Sequence, residues 1–268
     1  MALMHPLIDV DELNENLHKL LLFDIRWSLT DPRHGLATYT AGHIPGAVFV
    51  DLDTDLAAEP GPGRHPLPDA EDFASTLGRL GISEESDVVV YDDVDGTVAA
   101  RLWWMLESIG HQRIRLLNGG YQSWLKAELP TETGENHANP TQYPVKDFTG
   151  VVDHDQLKER QVVDVRAVER YRGDHEPVDP KAGHIPGAVN MPVMGNLTDD
   201  GLFKAPDILL TQFSDLDSLP VVSCGSGVNA CHTALAMVIA GQVLPDVYIG
   251  SYSEWSTLDL PVATGGAP

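Results

Sequence analysis

Cysteine is scarce in this chain: 268 residues carry two, Cys224 and Cys231. Two thiols cannot make a disulfide framework. If a helix begins near Asn229, they stand about 10 Å apart along it, too far for a bridge. Positive charge is the second shortage. Lysine and arginine total 17 against 40 aspartates and glutamates, a formal net charge of −23. Such a surface repels phosphate backbones and anionic lipid, which excludes nucleic acid and a membrane as partners. The acidity itself is ascribed to solubility or to adaptation of the host, so any basic cluster becomes more informative. Long apolar runs are also missing. None reaches the ~18 residues that span a bilayer. The opening Met1-Ala2-Leu3-Met4-His5-Pro6 has no basic region followed by an apolar run, so no signal peptide is expected. A cytoplasmic protein with reduced thiols is the expectation.

What is present is a set of short, continuously apolar segments between helix-forming stretches. Leu21–Arg26, Asp87–Tyr91, Ile114–Leu117, Val162–Arg166 and Leu219–Ser223 read as buried strands. Near-continuous apolar strands alternating with helices predict an α/β unit with a mostly parallel sheet and helices on both faces. Helices are expected over Ile8–Leu20, Asp69–Leu80, Thr97–Ile109, Tyr121–Ala127, Asp153–Arg160 and Ala230–Ala240. Tyr39–Ala47 reads as a turn.

The pattern occurs twice. Ala182-Gly183-His184-Ile185-Pro186-Gly187-Ala188-Val189 repeats Ala41–Val48 residue for residue. Gly250, Ser251, Tyr252 and Trp255 follow the order of Gly120, Tyr121 and Trp124. Two units of ordinary domain size are therefore expected, 1–130 and 150–268, joined by a polar linker over 131–149. The duplicated His43 and His184 read as structural.

The copies differ in one loop. Val221-Val222-Ser223 runs into Cys224-Gly225-Ser226-Gly227-Val228-Asn229-Ala230 and then a helix. A cysteine thus stands where a strand ends and a helix begins. In parallel sheets ligands bind outside the carboxyl ends of the strands. Backbone N–H groups there favour an anion, and the thiolate is the reactive form of cysteine. Cys224 is the expected nucleophile. Aligning Met105 with Met237 puts Asp92 opposite Cys224, so the first copy lacks the thiol. Cys231 reads as a buried helix residue. An Arg six positions after the nucleophile, needed to hold phosphate in a Cys-x5-Arg loop, is replaced by Ala230. Phosphatase chemistry is thereby disfavoured, and the absence of a Cys-x-x-Cys pair disfavours a dithiol redox enzyme.

The paired Gly-His-Ile-Pro-Gly-Ala segments, the Asp164-Val165-Arg166 strand end and the Cys224–Val228 loop together resemble the two-domain rhodanese family, the thiosulfate and 3-mercaptopyruvate sulfurtransferases. The resemblance covers nearly the whole chain. It implies two tandem rhodanese-like domains, the first inactive and the second catalytic. It also implies a Cys224 persulfide that passes sulfur from a small donor to a thiol, cyanide or protein acceptor. No metal and no organic cofactor is implied.

Within the resemblance, Gly225 and Ser226 lack the two basic residues of thiosulfate members, which favours 3-mercaptopyruvate as donor. Gly225, Gly227, Val228, Asn229 and Ala230 would cradle the bound sulfur through their backbone. Asn229 stands where the family usually has Thr. Arg170 matches an arginine that binds the donor's acidic group. A second such arginine would fall at Asp179, which instead looks like the thiosulfate members. Ser226, His65 and Asp53 match a proposed Ser-His-Asp relay that moves a proton when pyruvate enolate leaves. Arg26 and Trp27 are expected to line an interdomain cleft. The alternatives are a thiosulfate sulfurtransferase and a sulfur-relay module that serves a protein partner.

Overall fold

A computed structural model describes residues 4–266. Met1–Leu3, which open the segment read above as leaderless, and the last two residues lie outside the described residues. The chain divides into two compact units. One holds the chain up to Ala58 with Pro68–Thr149 and Asp200–Leu202; the other holds Glu59–Leu67, Gly150–Asp199 and the chain from Phe203 onward.

In the first unit the strands are β1 (Leu7–Ile8), β2 (Leu21–Asp24), β3 (Val48–Phe49), β4 (Val88–Tyr91) and β5 (Ile114–Leu117). The helices are α1 (Val10–Asn16), α2 (His34–Ala41), α3 (Leu52–Asp55), α4 (Ala70–Arg79), α5 (Ala100–Ser108) and α6 (Gly120–Lys126). In the second unit the strands are β6 (Val151–Val152), β7 (Val162–Asp164), β8 (Val189–Asn190), β9 (Val221–Ser223) and β10 (Asp246–Tyr248). Its helices are α7 (Val168–Arg172), α8 (Pro206–Gln212), α9 (Asn229–Ile239) and α10 (Ser251–Trp255).

Each unit is built on a five-stranded parallel sheet flanked by helices. The orders are β1-β5-β4-β2-β3 and β6-β10-β9-β7-β8, one topology used twice. Every residue of β4 and β9 is buried, as a strand covered on both faces requires. The repeated residues do repeated work. The Asp24–Arg26 pair closes one strand end and Asp164–Arg166 the other. Each arginine also donates Nη2 to a carbonyl 2.7 Å away, Gly42 in one unit and Gly183 in the other. His43 stacks on Tyr39 and bonds its carbonyl; His184 does the same with Tyr171. Both imidazoles are fully buried. Buried groups that are both stacked and hydrogen-bonded fix geometry.

Several expectations need correction. Arg26 is 3% exposed and committed to Asp24 and Gly42. Asp153–Arg160 forms only a single 3-10 turn at Asp155–Leu157. Leu157 is the sole residue of the turn that reaches the core, and Glu159 stops it with a left-handed φ of 67°. Tyr39–Ala47 is not all turn, since α2 runs to Ala41 before Gly42. Residues 131–149 carry no helix or named strand, yet they are fastened along the first unit. Glu132 pairs with His43, Thr141 with Gly78 and Ile82, Phe148 with Phe73, and Thr149 with Ser108. No helix among the described residues is long and apolar enough to cross a membrane.

Candidate active site

Cys224 follows β9 directly and is 3% exposed. Its thiol accepts from the backbone N–H groups of Ser226 (3.4 Å) and Gly227 (3.1 Å). The loop bends this tightly because Gly227 takes φ 76°, a conformation that suits glycine. Val228 is the N-cap of α9, and Asn229 and Ala230 open the helix, whose first N–H groups lack intrahelical acceptors. The loop therefore presents N–H groups to the sulfur from one side and a helix start beneath it. That arrangement holds an anion without any cation.

Second partners fix the base of the loop. The Cys224 N–H donates to Ser251 Oγ (3.1 Å), and Ser251 Oγ lies 3.8 Å from Sγ. Ser251 is fully buried at φ 50°, a left-handed serine held where the matching residue of the first unit is Gly120. Non-glycine residues in this region are strained and concentrate at functional sites. Tyr252 N–H bonds the Cys224 carbonyl and Ser253 N–H the Gly225 carbonyl, which ties α10 to the loop. Cys231 is fully buried and donates Sγ–H to the Gly227 carbonyl (3.2 Å); neither cysteine forms a disulfide.

His65 belongs to the second unit although it precedes most of the first in sequence. It is 6% exposed, and its Nδ1 lies 2.8 Å from Ser226 Oγ. Ser226 stands two residues beyond the thiol, so a hydroxyl and an imidazole are linked beside it. Asp53 lies in the first unit, where it accepts from Trp27 Nε1 at 2.8 Å.

A cluster of two arginines and two carboxylates sits against the same loop. Arg170, on α7, gives Nε and Nη2 to Glu176 (3.0 and 2.8 Å) and Nη2 also to Asp179 (2.9 Å). Asp179 pairs as well with Arg64, whose backbone N–H bonds Ser253 Oγ (3.1 Å). Burial alone would raise the Glu176 carboxyl, but Arg170 and the N–H groups of Asp179 and Val178 hold it below its ordinary value. A methyl group placed on Gly225 would meet Arg64 Nη2 at 3.0 Å and Arg170 Nη1 at 3.4 Å. Both guanidinium groups thus converge on the residue after the thiol. Arg64 and Ser251 escaped the sequence reading. For Arg64 a signal existed: in a chain this acidic, a basic residue next to His65 stands out. Among the described residues, no group of three or more His, Cys, Asp or Glu is placed to hold a metal ion.

The Rhodanese-like domain family matches residues 9–127 and 151–258. A probable 3-mercaptopyruvate sulfurtransferase of Pseudomonas aeruginosa is 42% identical over 92% of this chain and 93% of its own length. The thiosulfate sulfurtransferase of Mus musculus is 37% identical over 88% of this chain and 84% of its own. Among solved structures, the 3-mercaptopyruvate sulfurtransferase of Leishmania major superposes with a TM-score of 0.86 at 31% identity, covering 95% of this chain and 75% of that one. A parallel sheet used twice, a cysteine cradled at the end of one central strand and these similarities agree: the chain belongs to the rhodanese-like family of sulfurtransferases.

Proposed function

We propose that this sulfurtransferase takes sulfur from 3-mercaptopyruvate and passes it on through a persulfide on Cys224. The observation that carries the choice of donor is the Ser226–His65 hydrogen bond beside the thiol. Cys224 thiolate attacks the donor's sulfur, a new S–S bond forms and the donor's C–S bond breaks. The electron pair leaves on carbon as pyruvate enolate, which requires a proton to become pyruvate. Ser226 and His65 can carry that proton from the donor's thiol to the enolate carbon. Thiosulfate would release sulfite, which requires no such delivery. The uncharged Gly225-Ser226 pair supports the same choice, since a doubly charged donor gains most from cations in the loop.

In the second half-reaction an acceptor thiolate or cyanide attacks the outer sulfur, the S–S bond breaks, and Cys224 leaves as thiolate. The N–H groups of Ser226 and Gly227 already face Sγ and favour its anionic form. The backbone of Gly225, Val228, Asn229 and Ala230 completes the cradle for the outer sulfur. Arg170 receives the donor's carboxylate. A net charge of −23 suits a basic partner when the acceptor is a protein. Two cysteines outside any disulfide fit a reducing compartment such as the cytoplasm.

The test is intact-mass analysis after incubation with each donor, then steady-state comparison of both. One added sulfur atom from 3-mercaptopyruvate, absent in Cys224→Ser, is expected. A higher kcat/KM with thiosulfate would reverse the choice of donor.

A further inference from the structure

Arg64 lies on a short segment, Glu59–Leu67, that folds into the second unit. Its backbone is pinned by Ser253 of α10, and Gly63 packs on Gly250, where an added methyl would meet backbone at 3.2 Å. Its guanidinium is held from behind by Asp179, a buried carboxylate that also holds Arg170. Arg64 uses Nη1 for that pair, and Arg170 uses Nε and Nη2 for its carboxylates. The remaining terminal nitrogens, Nη2 of Arg64 and Nη1 of Arg170, are the ones nearest Gly225. The side chain of Asp179 is 1% exposed while that of Arg64 is 27% exposed, so the anion is internal and the cation faces outward.

Two guanidinium groups splinted by buried carboxylates are preorganised for a planar anion. Each presents a donor edge, and neither must give up a conformation to bind. The anion they fit must lie within a few bonds of a sulfur that reaches Cys224, because Gly225 is the adjacent residue. We propose that Arg64, together with Arg170, receives the carboxylate of the sulfur donor, so that position 179 serves the site as a splint rather than as a ligand. This specificity role rests on the sulfurtransferase reading above. It extends the carboxylate site to a residue from the other end of the chain.

The test compares alkylation of Cys224 by iodoacetate and by iodoacetamide, located by peptide mass. The two reagents are nearly isosteric and differ in the carboxylate. Arg64→Gln is expected to lower the iodoacetate-to-iodoacetamide rate ratio about tenfold, the worth of a charge-assisted bond. Arg64→Lys keeps the charge without the planar fork and is expected to lower the ratio, but by less than Arg64→Gln does. In steady state, Arg64→Gln should raise KM for 3-mercaptopyruvate about tenfold, with kcat changed less than about threefold. Should the glutamine variant not fold, Arg64→Met keeps the apolar stem and gives the same readout. An unchanged alkylation ratio in the uncharged variant overturns the role of Arg64. A lowered ratio with no sulfur uptake from 3-mercaptopyruvate would retire that donor while upholding Arg64 as a carboxylate receptor.

Discussion

The two loops that follow the central strands solve one electrostatic problem in opposite ways. Asp92 and Cys224 each come directly after a strand, and each has its carbonyl tied to a tyrosine N–H, from Tyr121 or Tyr252. In the first unit the Asp92 carboxylate fills the nest itself. It accepts from the N–H groups of Val94, Gly96, Val98 and Ala99, all at 2.8–2.9 Å. In the second unit the thiol accepts from the N–H groups of Ser226 and Gly227, with Ser251 Oγ 3.8 Å away, and the helix begins at Asn229. One nest is occupied by the chain's own anion. The other is arranged around a group that can acquire a second sulfur. A cradle for anions is thus a property of the shared fold, and reactivity depends on what stands in it.

The sharpest way to break this comparison is to alter both occupants. Cys224→Ser should abolish sulfur uptake and lower turnover at least about 10³-fold, whereas Asp92→Asn should leave turnover within about threefold. Equal losses would show that the loops are not divided in this way. Next in size, Ser226→Ala and His65→Gln should each lower kcat with 3-mercaptopyruvate about 10²-fold, the usual yield of a positioned proton carrier. Turnover with thiosulfate should fall far less in the same variants, and parallel losses would remove the relay.

The structural side of the comparison is tested at Asp92. Asp92→Ala orphans four N–H groups and should destabilise the protein by about 3 kcal/mol in urea unfolding. Burial pushes the Asp92 carboxyl up to about 6, against those N–H donors, which favour its charged form. A folded-state value above the unfolded one means that the proton binds the folded state more tightly. The stability linked to it is full below about pH 4 and is lost as pH rises through about 6. The margin of the natural protein over Asp92→Asn should therefore shrink between these limits; a margin that grows would show the N–H groups outweighing burial. The smallest effect is expected at Cys231, which is fully buried and donates a weak bond to the Gly227 carbonyl. Cys231→Ala should cost under about 2 kcal/mol and leave the sulfur gain unchanged.

The framework was legible because its signals are local and repeated. Apolar strands such as Val88–Tyr91 and the duplicated turn of His43 and His184 need no tertiary information. The Cys224 loop was legible for the same reason: strand, glycines and helix start are contiguous. Elements held by distant partners were not. Helix α5 was expected from Thr97 but starts at Ala100, because Asp92 takes the N–H groups of Val98 and Ala99. Helix α2 has a weakly divided sequence, with threonines at 38 and 40 bonded back to carbonyls of the preceding turn. Gly35 lies so close to the Arg26 carbonyl that a side chain there would collide. At the site, Arg64 and Ser251 act through residues more than a hundred and more than twenty positions away, respectively, which spacing cannot reveal.

The inclusion of Glu59–Leu67 in the second unit bears on how this protein can be divided. A fragment beginning at Gly150 would inherit the reactive cysteine yet leave His65 and Arg64 behind. The peptide that carries them would have to be supplied in trans before such a half could be complete. Inheritance works the same way: a chain that dropped its thiol-free repeat would also drop His65, the partner of Ser226, and Arg64, one of the two arginines on Asp179. The retention of the thiol-free copy then has a mechanical cause, since a segment within it, Glu59–Leu67, is stitched into its twin.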